Sequence, residues 1–226
     1  MSAEPDPLPE TGGDLLSDHG AGPLQDLFVG IYRKNAWADP QSVSGPGSSV
    51  ERTSVFRDEI ARLVRDLRAD SLLDAPCGDF NWMRMLDFGE IGYVGVDIVP
   101  ELIATNKQRY GDRQRQFLCL DITRSRLPRA DVILSRDFFV HLSFADCMAA
   151  IANFRRSGAT HLIATTFVAR TNNEDINTGG WRPLNLERAP FNFRPPLMLI
   201  DERRTEDDGH YRDKHLGLWR LEQLAA

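Results

Sequence analysis

Short apolar runs that end in an acid or a glycine alternate along this chain with stretches of helical period. Residues 71–73 are apolar between polar neighbours, as expected of an inner strand of a parallel sheet. Pro76 cannot donate to a ladder, so that strand stops at Asp74 and Ala75. Further strands are expected over residues 93–97, 116–120, 131–135 and 161–167, with a last pair over 197–200 and 216–221. Leu24, Leu27, Phe28, Ile31 and Tyr32 recur at helical spacing within residues 23–36. Val55, Phe56, Ile60, Leu63, Val64 and Leu67 do the same over 54–69, where Thr53 or Ser54 is placed to cap. Asp79 is placed to cap a helix carrying Phe80, Trp82, Met83 and Met85. Pro100 suits the first turn of another helix. Ser143 with Asp146 resembles a capping box, and Gly158 supplies that helix's stop. Strands thus alternate with helices five times, which predicts an α/β domain with helices on both faces of a parallel sheet.

The first 22 residues, rich in Pro, Gly and acids, are too poor in large apolar groups to form core and read as a mobile acidic tail. Residues 23–53 read as an N-terminal cap or lid and 54–226 as the main domain. Within the cap, residues 42–49 (SVSGPGSS) are either a flexible linker or an anion-binding nest of backbone amides. Residues 168–196 lack clean periodicity, and so long an irregular stretch is usually functional. Residues 23–53 and 168–196 together are the expected lid.

Composition narrows the function. The net charge of −6 resides in residues 1–26, which hold six of the 33 acids and no Lys or Arg. The remainder, 27 acids against 27 bases, has no basic footprint for nucleic acid and favours a small-molecule substrate. No run approaches the ~18 apolar residues of a membrane span. No basic and then apolar leader opens the chain, so a cytoplasmic, non-membrane protein is expected. Cys77, Cys119 and Cys147 stand apart, and no histidine joins them at ligand spacing, so no metal site is expected. A homodimer is compatible with the sequence, which does not fix the oligomeric state.

In open α/β sheets ligands bind at the carboxyl ends of the strands. The turn after residue 73, Asp74-Ala75-Pro76-Cys77-Gly78-Asp79, has one glycine, so it is neither G-x-G-x-x-G nor a P-loop. Asp97 follows Asp74 by 23 positions, the placement of an acid that accepts from ribose hydroxyls. Asp121 and Asp137 end the next two strands. Trp82 either covers a nucleoside or packs the core.

This ordered series of acids resembles the class I S-adenosylmethionine-dependent methyltransferases over roughly residues 54–221. Pro76 and Phe80 depart from that family's first motif, standing where it usually has glycines. DAPCGDFNWM, YVGVDIVPELI, LSRDFFVHLSF and TGGWRPLNLERAPF look like a small bacterial subgroup of these enzymes. The resemblance implies a Rossmann-like, doubly wound seven-stranded sheet with an N-terminal helical cap, and S-adenosylmethionine as cofactor. It implies a cofactor site of Asp74, Ala75, Pro76, Gly78, Trp82, Asp97, Ile98, Asp121, Ile122, Ser135, Arg136 and Trp37. It also implies O-methylation of a small anionic acceptor, a phosphonate by preference, in antibiotic biosynthesis. Such an oxygen needs cations to position it rather than a base, and Arg136, Arg170, Arg182 and Lys34 are the candidates. A sugar or polyol hydroxyl would instead need a base, for which His141 is the candidate. Tyr32, Trp37 and Trp181 are placed to shield a sulfonium. The alternative of another class is a non-catalytic nucleoside-binding module, and a hydride-transferring dehydrogenase is more distant.

Overall fold

The computed structural model describes residues 22–203 and 209–224. Seven strands make one sheet: β1 (Ser71–Asp74), β2 (Gly92–Asp97), β3 (Arg115–Cys119), β4 (Val132–Ser135), β5 (His161–Phe167), β6 (Met198–Asp201) and β7 (Lys214–Arg220). Their order is β3-β2-β1-β4-β5-β7-β6. The first five are parallel, and β7 runs antiparallel to both β5 and β6. The chain leaves β1 toward β2 and β3, then returns to place β4 on the other side of β1. That reversal opens a crevice at the carboxyl ends of β1 and β4, where an open α/β sheet binds its ligand.

Apolar runs bury both faces of the sheet. On one face Phe56, Ile60, Leu63 and Val64 pack on Leu72, Val132, Leu134 and Ile163. The helices there are α2 (Val50–Thr53), α3 (Arg57–Asp66) and α4 (Pro100–Tyr110). On the other face Cys147, Ala150, Ile151 and Phe154 of α5 (Phe144–Arg156) pack on Leu73, Ile133 and Leu162. The remaining helix, α1 (Pro23–Arg33), buries no residue fully and rests its Phe28 against this second core.

Several local expectations are corrected. The helix expected over 54–69 is two helices. Thr53 Oγ1 donates back to the Ser49 and Val50 carbonyls and Ser54 Oγ to Glu51, so neither hydroxyl caps α3. Ser49 caps α2 instead, and α3 starts after Phe56 without a side-chain cap. No α-helix follows β1. Gly78 and Phe80 take positive φ (53° and 58°), and only a 3₁₀ turn forms at Met83–Met85. The Phe80 ring, drawn in among Tyr93, Tyr110 and Phe117, accounts for the break. The β3–β4 connection also lacks a helix, so the regular fivefold alternation is not observed. Other elements match: Pro100 opens α4, Ser143 Oγ accepts from Asp146 N, and Gly158 takes φ 82° just past α5. The expected acidic tail lies outside the described residues, apart from Gly22. No helix among the described residues is long and apolar enough to cross a membrane.

Candidate active site

The crevice between β1 and β4 is a cleft enclosing about 1010 Å³ of space between atoms, its open mouth included. Its floor is a row of strand ends. Asp74 closes β1 and accepts a 2.6 Å hydrogen bond from Tyr93 Oη on β2. Burial pushes its carboxyl up to about 7, with the Asp97 charge adding and the Tyr93 bond and Arg136 opposing. Asp97 closes β2 and accepts from Gly78 N (3.2 Å) and Val99 N (3.1 Å). Burial outweighs these bonds and lifts it to about 6. Asn106 of α4 donates to the Gly78 carbonyl at 2.8 Å, so the turn is held from two sides. Asp121, after β3, accepts from Thr123 N and Oγ1 and pairs with Arg124 at 2.9 Å.

At the β4 end, Arg136 and Asp137 enter the cleft, followed by Phe138 and His141. Asp137 takes φ 52° and gives its N–H to Thr165 Oγ1 at 2.8 Å. The Arg136 guanidinium lies over the Phe56 and Trp82 rings, 5.0 and 5.4 Å from their centroids. His141 sits against Trp37, ring centroids 5.0 Å apart, with Nδ1 2.8 Å from the Gly180 carbonyl. A carbonyl only accepts, so Nδ1 carries the proton and Nε2 keeps its lone pair. Burial holds the imidazole below its usual range, so the ring is neutral near pH 7.

The N-terminal segment forms the opposite wall with Leu24, Phe28, Tyr32, Trp37, Val43, Ser44 and Ser48. Asp79 does not cap a helix as expected but ties this wall down. Its carboxylate accepts from Val43 N at 3.1 Å, and its N–H donates to Ser44 Oγ at 3.0 Å. Asn81 Nδ2 reaches the Ser48 carbonyl at 3.1 Å. Residues 42–49 are therefore neither a free linker nor an open nest.

Of the residues expected at the site, Tyr32, Trp37, Asp74, Pro76, Gly78, Trp82, Asp97, Ile98, Asp121, Ile122, Arg136 and His141 line the cleft. Ala75 and Ser135 are buried behind it, and Ser135 Oγ has no partner among the described residues. Lys34 points to solvent from the end of α1. Arg170 is engaged with Asp213 and the His210 carbonyl. Arg182 is buried and donates to the carbonyls of Phe139, Leu142 and Glu174. Neither arginine presents a charge to the cleft, because backbone and acid partners consume their donors. Trp181 packs on Phe167 and Tyr211, away from the cleft. The 168–196 segment contributes no lining residue; it holds His141 through Gly179 N and Gly180 O, and the residues beside it through Arg182.

The sequence reading missed Thr123, Val99, Leu102 and Phe138 in the cleft wall, and Glu202 and Lys214 behind Arg136. Period-two alternation was the available signal for Lys214, since Leu216 and Leu218 on the same side of β7 are core.

These residues suit an adenosyl group. Each Asp97 oxygen has a lone pair beyond its backbone bond with which to accept a ribose hydroxyl. Ile98, Val99, Leu102, Ile122 and Phe138 offer apolar walls for a purine, next to the Asp121 acceptor.

Residues 73–162 match a family model described as a methyltransferase domain. The fold is that of the class I methyltransferases. Among solved structures with this fold is a Burkholderia thailandensis 1,6-didemethyltoxoflavin-N1-methyltransferase with bound S-adenosylhomocysteine. It is 17% identical with TM-score 0.59, covering 91% of this chain and 92% of that one. Human N-acetylserotonin methyltransferase in complex with S-adenosylmethionine is 15% identical with TM-score 0.57 over 88% of this chain, which spans 60% of the human enzyme's chain. No curated protein matches the chain. S-adenosylmethionine is the cofactor that this fold and domain imply.

Proposed function

We propose that the protein is an S-adenosylmethionine-dependent O-methyltransferase whose acceptor is a small molecule bearing a hydroxyl, with His141 as its base. The observation that carries this reading is the place of His141 in the cleft, its Nδ1 engaged by the Gly180 carbonyl at 2.8 Å so that Nε2 is left to accept a proton. When bound, S-adenosylmethionine supplies an electrophilic methyl on a sulfonium. Asp97 orients the ribose and Asp121 with Ile122 flanks the adenine. Asp74 and Gly78 face the methionine part. Tyr32 and Trp37 border the sulfonium region, where aromatic faces favour a cation and exclude water. His141 Nε2 would take the proton of an acceptor hydroxyl held in the cleft, leaving an oxygen nucleophile for the methyl that the cofactor would supply.

A second reading keeps the anionic acceptor. The chain as a whole, rather than any phosphonate-diagnostic motif, looks like the phosphonate O-methyltransferase of the dehydrophos antibiotic pathway, and Arg136 does line the cleft. Its guanidinium is already bidentate to Glu202 and close to Asp137, which leaves it little capacity for a phosphonate.

The test is mass spectrometry of reactions with methyl-labelled cofactor against panels of phenols, sugars, carboxylates and phosphonates. The expected result is label on a hydroxyl, with His141→Gln lowering the rate ~100-fold or more, the low end for losing a general base, while S-adenosylhomocysteine still binds. Label on a phosphonate with His141→Gln near parental rate would establish the second reading instead.

A further inference from the structure

At the cleft rim and just behind it lie four charges that composition alone would put at the surface. Arg136 holds Glu202 with two hydrogen bonds, Nε to Oε1 at 3.1 Å and Nη2 to Oε2 at 2.7 Å. Its Nη1 is 3.2 Å from Asp137 Oδ2. Lys214 Nζ is 2.7 Å from Asp137 Oδ1 and 3.0 Å from Glu202 Oε2. The side chains of Glu202, Arg136 and Lys214 are 0%, 4% and 5% exposed, whereas Asp137 is 24% exposed and lines the cleft. Removing ions from water costs several kcal/mol each, and apolar replacements of a buried ion cluster are often neutral or stabilising. Stability is therefore a poor reason for the cluster, and its position at the cleft is a better one.

We propose that Glu202 and Lys214 are positioning residues that fix Arg136 and Asp137 at the cleft rim and, through Asp137, control the protonation of His141. The idea rests on the role given to His141 above. Glu202 and Lys214 do not line the cleft; they come from the ends of the β6–β7 pair, joined there by Glu202 N to Lys214 O. Arg136 and Lys214 hold the Asp137 carboxyl far below its usual range, against the effect of burial, so it stays an anion. Gly47 of the N-terminal wall closes over it: a Cβ there would stand 2.9 Å from Oδ2.

The groups that face His141 come from every surrounding element. Burial disfavours its charged form most. The Gly180 carbonyl and Asp137 favour that form, while Lys214 on β7 and Arg182 in the 168–196 segment oppose it. Trp37 from the cap brings an uncharged ring. Removing the Lys214 charge leaves the Asp137 anion less compensated. Removing the Glu202 charge leaves two cations facing Asp137 alone. Acting through Asp137, the two changes are expected to drive His141 in opposite directions.

The experiment is an NMR titration of the histidines in the full chain, with His141→Gln identifying the signal. Lys214→Met is expected to raise the His141 midpoint by roughly half a unit or more. Glu202→Gln is expected to lower it by a similar amount, and Lys214→Arg to restore the parental value. An unmoved His141 in Glu202→Gln overturns the proposal even should Lys214→Met not fold. Equal drift of both variants toward the value of a free imidazole also overturns it, because loosened packing alone would produce that. S-adenosylhomocysteine titrated into the parent protein separates the two readings. Absence of binding there defeats the methyltransferase assignment, whereas the histidine titration judges the charge cluster by itself.

Discussion

Asp74 and Asp97 are carboxyls that the fold holds near 7 and 6 against an ordinary 3.8. In the ligand-free protein they bind more protons than they would in the unfolded chain between about pH 4 and 7. Their contribution to stability is therefore complete at low pH and is lost as pH rises through the folded values. Cofactor binding has the opposite preference, because only the ionised forms accept fully from ribose hydroxyls and an ammonium. Calorimetry at pH 5.5 and 7.5 is expected to show S-adenosylhomocysteine binding several-fold tighter at the higher pH, with Asp97→Asn weakening binding and flattening the difference. An affinity independent of pH would contradict the assignment. The acids at strand ends were legible because each sits where an apolar run stops. Their upward shifts were not, since they come first from burial in the assembled cleft, which no local pattern announces. Glu202 was hidden by the charges around it, and Lys214 by its own charge at a position whose alternation with Leu216 and Leu218 marked the core side. Glu202 and Lys214 flank a charged stretch that reads as a turn, and the β6–β7 pairing carries them inward.

At the scale of elements, strands were easier to read than helices. A buried parallel strand is an apolar run whatever surrounds it, and the observed bounds of β5, residues 161–167, are those expected. The turn after β1 was misread because Asp79 serves a distant partner, the N-terminal wall, instead of a local helix end. Asp79→Ala removes the acceptor of Val43 N and Asn81 N, at a cost of about 1–2 kcal/mol. It is expected to speed S-adenosylhomocysteine release, measured by stopped-flow fluorescence of the cleft tryptophans; an unchanged rate would mean that this wall does not retain the ligand. The irregular segment after β5 is fastened by buried polar groups. Asn185 donates to the Val168 and Arg170 carbonyls, and Arg182 gathers three more. Arg182→Met leaves those carbonyls without a charged donor and is expected to destabilise by ~2–4 kcal/mol. A thermal melt should show a fall of roughly 5–10 °C, with cofactor affinity per folded molecule retained. A parental melting point would show that these bonds are dispensable.

For the whole molecule, sheet order does most to define the site. The reversal of the chain between β3 and β4 sets the ends of β1, β2 and β4 side by side, so residues from 74 to 141 converge on one cleft. The N-terminal segment, remote in sequence from those strands, supplies the facing wall. This cleft is expected to bind an adenosyl sulfonium or its demethylated product at one site. Isothermal calorimetry of the purified protein with S-adenosylhomocysteine tests that most directly. The expected result is one molecule bound per chain, with Asp97→Ala weakening it at least tenfold while the protein stays folded. No binding by the parent protein, or preferential binding of a nicotinamide dinucleotide, would contradict it.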